Sequence, residues 1–398
     1  MSVVKRLRGA LRAAVDRLPE PLAVRLRPSR YRYELADVPA PPPRLDAPTR
    51  VVVGATNYAA QGYLLARALD HLDGVAAINV HQLPAGDTYG FPADIAVSGD
   101  IVRLSSHWRR RQFSAIAERY SHAILESGRP LFGALFDLDV AREIAALRER
   151  GVRVAHLAHG SDLRSPRIHR EFSRFSPFHD DDWDARDALQ QGADRYARLI
   201  AATGGPVFVT TPDLVRDHAD AHWMPVMVDP ARWVATEPPL ERPRPVVLHA
   251  PTNPRIKGTP LIEPTLERMH AAGLIDYRPV SGVPASDMPA LVRSADIVID
   301  QVRLGIYSVA AVEAMAAGRV VIARLDDDVV SRVEELAGER PPILSVEPED
   351  LEARLSSLVA DRADARELAA AGPAFARRVH DGTLSAKVIA AAFLTSAA

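Results

Sequence analysis

The 398-residue chain contains no cysteine. Disulfides, thiolate nucleophiles and Cys-ligated zinc or iron–sulfur centres are therefore excluded, and the composition is compatible with a cytoplasmic location without demanding one. Charge of one sign is also missing, since 49 Lys and Arg face 51 Asp and Glu for a formal net charge of −2. A protein that binds nucleic acid by neutralising phosphates needs an excess of cations, so no nucleic-acid partner is expected. No apolar run approaches the length of a bilayer span, and the N-terminus lacks an apolar core ending at a small-residue cleavage site. Spanning and secretion are both disfavoured. The phosphate-loop pattern GxxxxGK[ST] is absent as well.

What is present is ordinary globular composition, 47% hydrophobic and 25% charged, in a chain long enough for two domains. Residues 1–49 read as a basic helix followed by a Pro-rich arm. Val3, Val4, Leu7, Leu11, Val15 and Leu18 recur at helical spacing among Lys5, Arg6, Arg8, Arg12 and Arg17. Such a helix suits either an anionic membrane surface or its own domain, and Pro19 and Pro21 end it. The prolines of DVPAPPPRLDAP then deny both helix and central strand.

Residues 50–235 are expected to form a first Rossmann-like, acceptor-side domain. Val51 to Val53, closing at Gly54, lead into a helical pattern of Leu64, Leu65, Ala68, Leu69 and Leu72. The runs VAAINV, ADIAVS, VRVAHLA and PVFVTT then alternate with helical stretches, the rhythm of β–α units on a parallel sheet. WVATEPPLERPRP marks a linker. Residues 236–375 repeat the alternation, with PVVLHAP, IDYRPVSG, ADIVIDQ, RVVIARL and PPILSV as strands. Residues 376–398 read as a C-terminal helix placed to cross back and brace the first domain.

Two loops carry the chemistry. In HAPTNPRIKGTPLIEP, a strand runs into a turn holding His249, Arg255, Lys257 and Gly258 ahead of a helix. A forked guanidinium, a mobile ammonium and the free N–H groups of a helix start suit a diphosphate. The plainer reading makes Arg255 and Lys257 solvent-exposed charges. In DQVRLGIYSVAAVEAMAAG, a strand ending at Asp300 leads through a glycine loop to a helix carrying Glu313. The carboxyl ends of parallel strands are where ligands collect. Glu313 there suits ribose hydroxyls, with a surface helix glutamate as the alternative.

Together PTNPRIKG and ADIVIDQVRLGIYSVAAVEAMAAGRVVI resemble the donor-binding half of the retaining glycosyltransferases of family 4, also called group 1. The resemblance implies the GT-B fold, two Rossmann-like α/β domains facing each other across a cleft. It implies transfer of a sugar, with retention, from a nucleoside-diphosphate donor, UDP- or GDP-linked, to a glycan, lipid-linked or small-molecule acceptor. It assigns Arg255 and Lys257 to the diphosphate and Glu313 to the ribose, and calls for no obligatory metal or other cofactor. Members often carry a first glutamate separated from the second by seven residues, and here that position is Gly305. Sugar contact would then fall to backbone groups near Gly305, Ile306 and Tyr307, or to Asp300 and Gln301. A catalytically weak or inactive sugar-nucleotide-binding protein is accordingly the alternative.

Weaker candidates come from the first half. His159, in AHLAHGSDLRS, follows a strand and is expected to reach substrate, with Asp162 or Arg164 binding polar groups. Gly54 opens a loop expected to approach acceptor or donor. The acidic run HDDDWD lacks the spacing of a calcium loop and reads as a solvated turn, and nothing else reads as a metal site. SHWRRRQF is a basic-aromatic patch suited to an anionic acceptor, a lipid headgroup or solvent. The sequence leaves oligomeric state open.

Overall fold

The structure is a computed structural model that describes residues 15, 18–29, 32–84 and 90–395. Most of the expected basic N-terminal helix lies outside the described residues. The chain divides into two compact units, one of residues 1–87, 92–156 and 202–205, the other of 88–91, 157–201 and 206–398. This division differs from the four segments drawn from the sequence, because 157–201 and all of 206–235 group with the C-terminal sheet.

The first unit is built on β1 (Thr49–Ala55), β2 (Val75–Leu83), β3 (Ile95–Ser98), β4 (His122–Glu126) and the start of β5 (Arg153–Ala158). β1 is central, pairing in parallel with β2 through Val51↔Ala77 and with β4 through Val51↔His122. Val51, Val52 and Val53 are all fully buried, which explains a continuous apolar run in place of alternation. The helix Gln61–Leu69 buries Leu65 and Leu69. β5 ends within the second unit, where β6 (Val207–Val209) and β7 (His222–Trp223) follow. The strand order of this sheet is β3-β2-β1-β4-β5-β6-β7. β4 was not anticipated: His122 and Glu126 flank only three apolar residues, yet all five are buried.

The second unit carries a separate parallel sheet of β8 (Val246–His249), β9 (Asp276–Pro279), β10 (Ile297–Ile299), β11 (Val320–Ala323) and β12 (Leu344–Ser345), in the order β12-β11-β10-β8-β9. Each of these segments was expected as a strand. Their side chains alternate between two cores. Val247, Ile297, Ile299, Val320 and Ile322 join Ile262, Leu266 and Met269. Val246, Leu248, Val298 and Val321 join Ala311, Met315 and Phe375. That is the period of two of a pleated strand, with helices covering both faces. Two parallel sheets flanked by helices are the α/β architecture expected from the sequence.

The C-terminal helix Ala363–His380 buries Phe375, Ala376 and Val379 within the second unit. Its last residue, His380, hydrogen-bonds the Val226 carbonyl through Nδ1 at 2.7 Å. In this sheet β8 lies between β9 and β10, so successive connections leave β8 and β10 in opposite directions. The space beyond their carboxyl ends is a topological switch point, the place where open α/β sheets collect ligands.

Candidate active site

Strand pairing brings the two motif loops together. β8 and β10 are neighbours in register, Val247 with Ile297 and Leu248 with Val298, so the residues after each strand emerge side by side. His249 closes β8 and is 1% exposed. Its Nδ1 lies 2.9 Å from the Ile299 carbonyl and its Nε2 2.8 Å from Thr259 Oγ1. A carbonyl only accepts, so Nδ1 bears the proton. Burial lowers the imidazole pKa, and the ring is a neutral brace rather than a cation of the ligand loop.

The turn Pro254–Lys257 is capped by Asn253, whose side chain accepts from Ile256 N. Gly258 ends it at φ 87°, and a Cβ there would sit 2.5 Å from Val302 Cγ2. The loop is thus pressed against the segment after β10. Lys257 Nζ donates to Asp300 Oδ1 at 2.5 Å and reaches Ser308 Oγ at 2.6 Å. Asp300 also accepts from Ser308 N at 2.7 Å, at the start of the helix Val309–Ala316.

Glu313 lies one turn along that helix. Burial, and then the Asp300 charge, push its carboxyl up to about 8, against the opposing pull of Lys257 and Arg232. Near neutrality it is therefore largely protonated in the unliganded protein and able to donate as well as accept. The structure brings Lys257, Asp300, Ser308 and Glu313 into one electrostatic cluster at the switch point. Ser308 was missed in the sequence, although serine just ahead of an apolar helix is a recognisable N-terminal signal.

Arg255 points elsewhere. Its guanidinium makes a two-pronged pair with Asp182, at 2.7 and 3.1 Å, and reaches Asp180 at 3.4 Å. It also lies over the Trp183 ring, 5.8 Å from its centroid. Asp180 is the main partner of Arg303, at 2.6 and 2.8 Å, and Arg303 further donates to the carbonyls of Phe175 and Ser176. The acidic run expected to be a solvated turn is instead partly an ion-pair partner of Arg255 and Arg303. Asp181 comes nearest the expectation, its side chain being fully exposed with Arg186 Nη1 3.8 Å away. Nothing in the local sequence announces pairs more than 70 residues apart in the chain.

The loop after Asp300 is built from inside. Gln301, fully buried, accepts from Arg303 N and Leu304 N and donates to the Ile306 carbonyl. Ile306 and Tyr307 are buried too, and Tyr307 Oη lies 3.2 Å from His380 Nε2. Of the positions expected near the donor sugar, Gln301, Ile306 and Tyr307 thus commit their side chains to the inside of the loop, and the carbonyls of Ile306 and Gly305 accept from Gln301 and from Asp326 N. Gly305 adopts φ 72°, and a Cβ there would overlap the Asp326 carboxylate. Asp326 in turn is held by Arg216 at 2.9 Å and Arg324 at 2.5 Å, and Arg216 also pairs with Asp328. The place where a side chain at 305 would begin is filled.

His159 follows β5 and is half-buried. The residues expected to work with it do not. Asp162 accepts from the backbone N–H groups of His159, Gly160 and Leu163, which makes it the organiser of its own turn. Arg164 is 6% exposed and locked to Asp213 at 2.7 and 3.1 Å. Gly54 lies inside β1 rather than in a loop, and a Cβ there would meet the Val80 carbonyl at 2.7 Å and Leu131 Cδ1 at 2.8 Å. Close packing of β1 accounts for that glycine. A groove of about 560 Å³ in the second unit, lined in part by Val215, Trp223, Leu336 and Val388, contains none of the candidate residues. Among the described residues, no three His, Asp or Glu side chains are grouped to hold a metal ion.

Two parallel α/β sheets with a candidate ligand cluster at the switch point of the second define the fold class, and solved structures agree with it. The chain is similar to HepE of Anabaena, determined in complex with UDP and glucose, with TM-score 0.53 and 12% identity over 87% of this chain and 100% of that one. It is similar to sucrose-phosphate synthase of Thermosynechococcus elongatus, with TM-score 0.53 and 12% identity over 85% of this chain and 96% of the other. A glycosyltransferase of Rickettsia africae matches with TM-score 0.50 and 11% identity, covering 86% and 97%. At this identity the likeness establishes the fold, which is the two-Rossmann GT-B fold. No protein-family model matches the sequence, and no curated protein does.

Proposed function

We propose that the protein is a glycosyltransferase that moves a sugar from a nucleoside-diphosphate donor, UDP- or GDP-linked, to a glycan, lipid-linked or small-molecule acceptor, with retention of configuration. The observation that carries the reading is the cluster of Lys257, Ser308 and Glu313 around Asp300 at the switch point of the second sheet. Support also comes from the fold shared with HepE, a protein determined with UDP and with UDP-glucose.

In this reading the glycosidic bond to the diphosphate breaks with oxocarbenium character while negative charge grows on the departing phosphate. Lys257 and Arg255 balance that charge, the former once its bond to Asp300 is shared with phosphate and the latter once Asp182 is displaced. Glu313 holds the ribose. His159 contacts substrate from the loop after β5, and the backbone around Gly305, Ile306 and Tyr307 holds the sugar. The bound nucleotide sugar is substrate, and the reaction draws on no metal.

A specific observation favours a second reading, a sugar-nucleotide-binding protein with weak or no turnover. The space next to Gly305 is occupied by Asp326, and both candidate cations already have carboxylate partners. One assay separates the two: purified protein is incubated with UDP- and GDP-sugars and candidate acceptors while transfer, donor hydrolysis and nucleotide affinity are followed. Transfer or hydrolysis supports the enzyme. Nucleotide binding without turnover supports the second reading, and the absence of all three removes both.

A further inference from the structure

We propose that the N-terminal region of the first unit is a docking surface for an anionic lipid bilayer, with Leu22 and Leu26 as its apolar wedge and Arg25 and Arg32 as cations that meet the headgroups.

The helix Glu20–Leu26 turns its apolar residues in two directions. Ala23 and Val24 are buried, at 1% and 8% exposure, whereas Leu22 and Leu26 are 48% and 63% exposed. Leucines four residues apart lie on one helical stripe, so this outward pair is contiguous. The inner face already has its partner, which leaves the outer stripe without one among the described residues of the first unit.

The helix is also firmly seated. Glu20 accepts from Ser105 Oγ at 2.5 Å, Arg111 Nη2 at 2.7 Å and Tyr33 Oη at 2.8 Å. Burial opposes the charge on Glu20, but the Ser105 and Tyr33 hydrogen bonds and the Arg111 charge prevail and lower its pKa. At the other end Arg27 Nη1 donates to the Leu104 carbonyl at 2.6 Å. Arg32 donates to the carbonyls of Arg25 and Arg27, closing the helix C-terminus with a guanidinium beside Leu26. Two leucines are held outward by a braced element and are flanked by exposed arginines, the disposition of an interfacial anchor.

Charge supplies the occupant. Residues 1–36 contain nine Lys and Arg against three Asp and Glu, while the remaining 362 residues contain 40 against 48. A negatively charged bilayer attracts the first segment and repels the rest, so the end of the chain that carries Leu22 and Leu26 is the one drawn to the lipid. An apolar stripe in the midst of that cationic segment matches a bilayer, where headgroups and acyl chains are stacked within a few ångströms.

The test is flotation of the full chain with vesicles of phosphatidylcholine alone or mixed with phosphatidylglycerol, at low and high salt. The chain should float with the mixed vesicles at low salt and about tenfold less with phosphatidylcholine alone or at high salt. Leu22→Asp combined with Leu26→Asp should lower flotation about tenfold or more while the melting temperature stays unchanged, since both positions are exposed. Leu22→Ala with Leu26→Ala should lower it in the same direction. Failure to float, equal flotation with both vesicle types, or full flotation of both leucine variants would overturn the proposal. Failure to float accompanied by binding to an acidic protein would move the surface to a protein partner.

Discussion

Glu313 and Gly305 set the chemistry of the candidate site at the scale of single residues. A carboxyl raised to about 8 keeps its proton in the folded chain across a range where the unfolded chain, near 4.5, has lost it. The contribution of Glu313 to stability is therefore present at acid pH and is lost as pH rises from about 4.5 through 8. Glu143, buried and also pushed up to about 8, adds the same slope. Glu313→Gln should flatten only its own share, so the melting temperature of the wild type should fall relative to the variant as pH rises from about 4.5 through about 8. A ribose that donates to the carboxylate should bind more tightly as pH climbs toward 8 and beyond, and Glu313→Gln should erase that dependence. Titration of UDP and GDP affinity against pH reads this directly, and a pH-independent wild type would count against the ribose assignment. Gly305 is the second decisive residue. Gly305→Ala places a Cβ against Asp326 at a positive φ, and it should cost about 1–3 kcal/mol in urea unfolding. A cost near zero would mean that Asp326 and its arginine partners move aside easily.

At the scale of elements, the strands of the second sheet could be read from the sequence because each is a short apolar run bounded by turn residues. Val246–His249 and Val320–Ala323 are examples, buried along their whole length. The helix bearing Glu313 was equally legible. β4 was not, because His122 and Glu126 at the ends of HAILE look polar, and only a central position between β1 and β5 buries them. The pairing of Arg255 with Asp182 was invisible for a different reason: a two-pronged ion pair depends on where two loops come to rest. That pair yields a prediction. Asp182 occupies the guanidinium that is assigned to the diphosphate, so Asp182→Asn should tighten UDP or GDP binding by a small factor, about two- to fivefold given the modest worth of an exposed ion pair. Isothermal titration of wild type and variant measures it, and weaker binding in the variant would show that Asp182 helps to hold the nucleotide.

For the whole molecule, two compact units imply that a nucleotide should act on one of them. Hydrogen exchange with and without UDP or GDP should show new protection in 246–260 and 296–330, and none in β1 or β2 of the first unit. Protection confined to the first unit would displace the proposed site. The net charge of −2 also conceals its distribution, since the cations of residues 1–36 are offset by acids elsewhere. By itself the sequence determined the α/β class, the strands of the second sheet and the two loops that meet beyond β8 and β10, because those follow from period, turn residues and chain order. Only the tertiary structure decided that His249 is a neutral brace, that Asp162 serves its own turn while Arg164 is locked to Asp213, and that Asp326 fills the place beside Gly305. Those outcomes depend on burial and on side chains far apart in the chain reaching one another, and no local pattern encodes either.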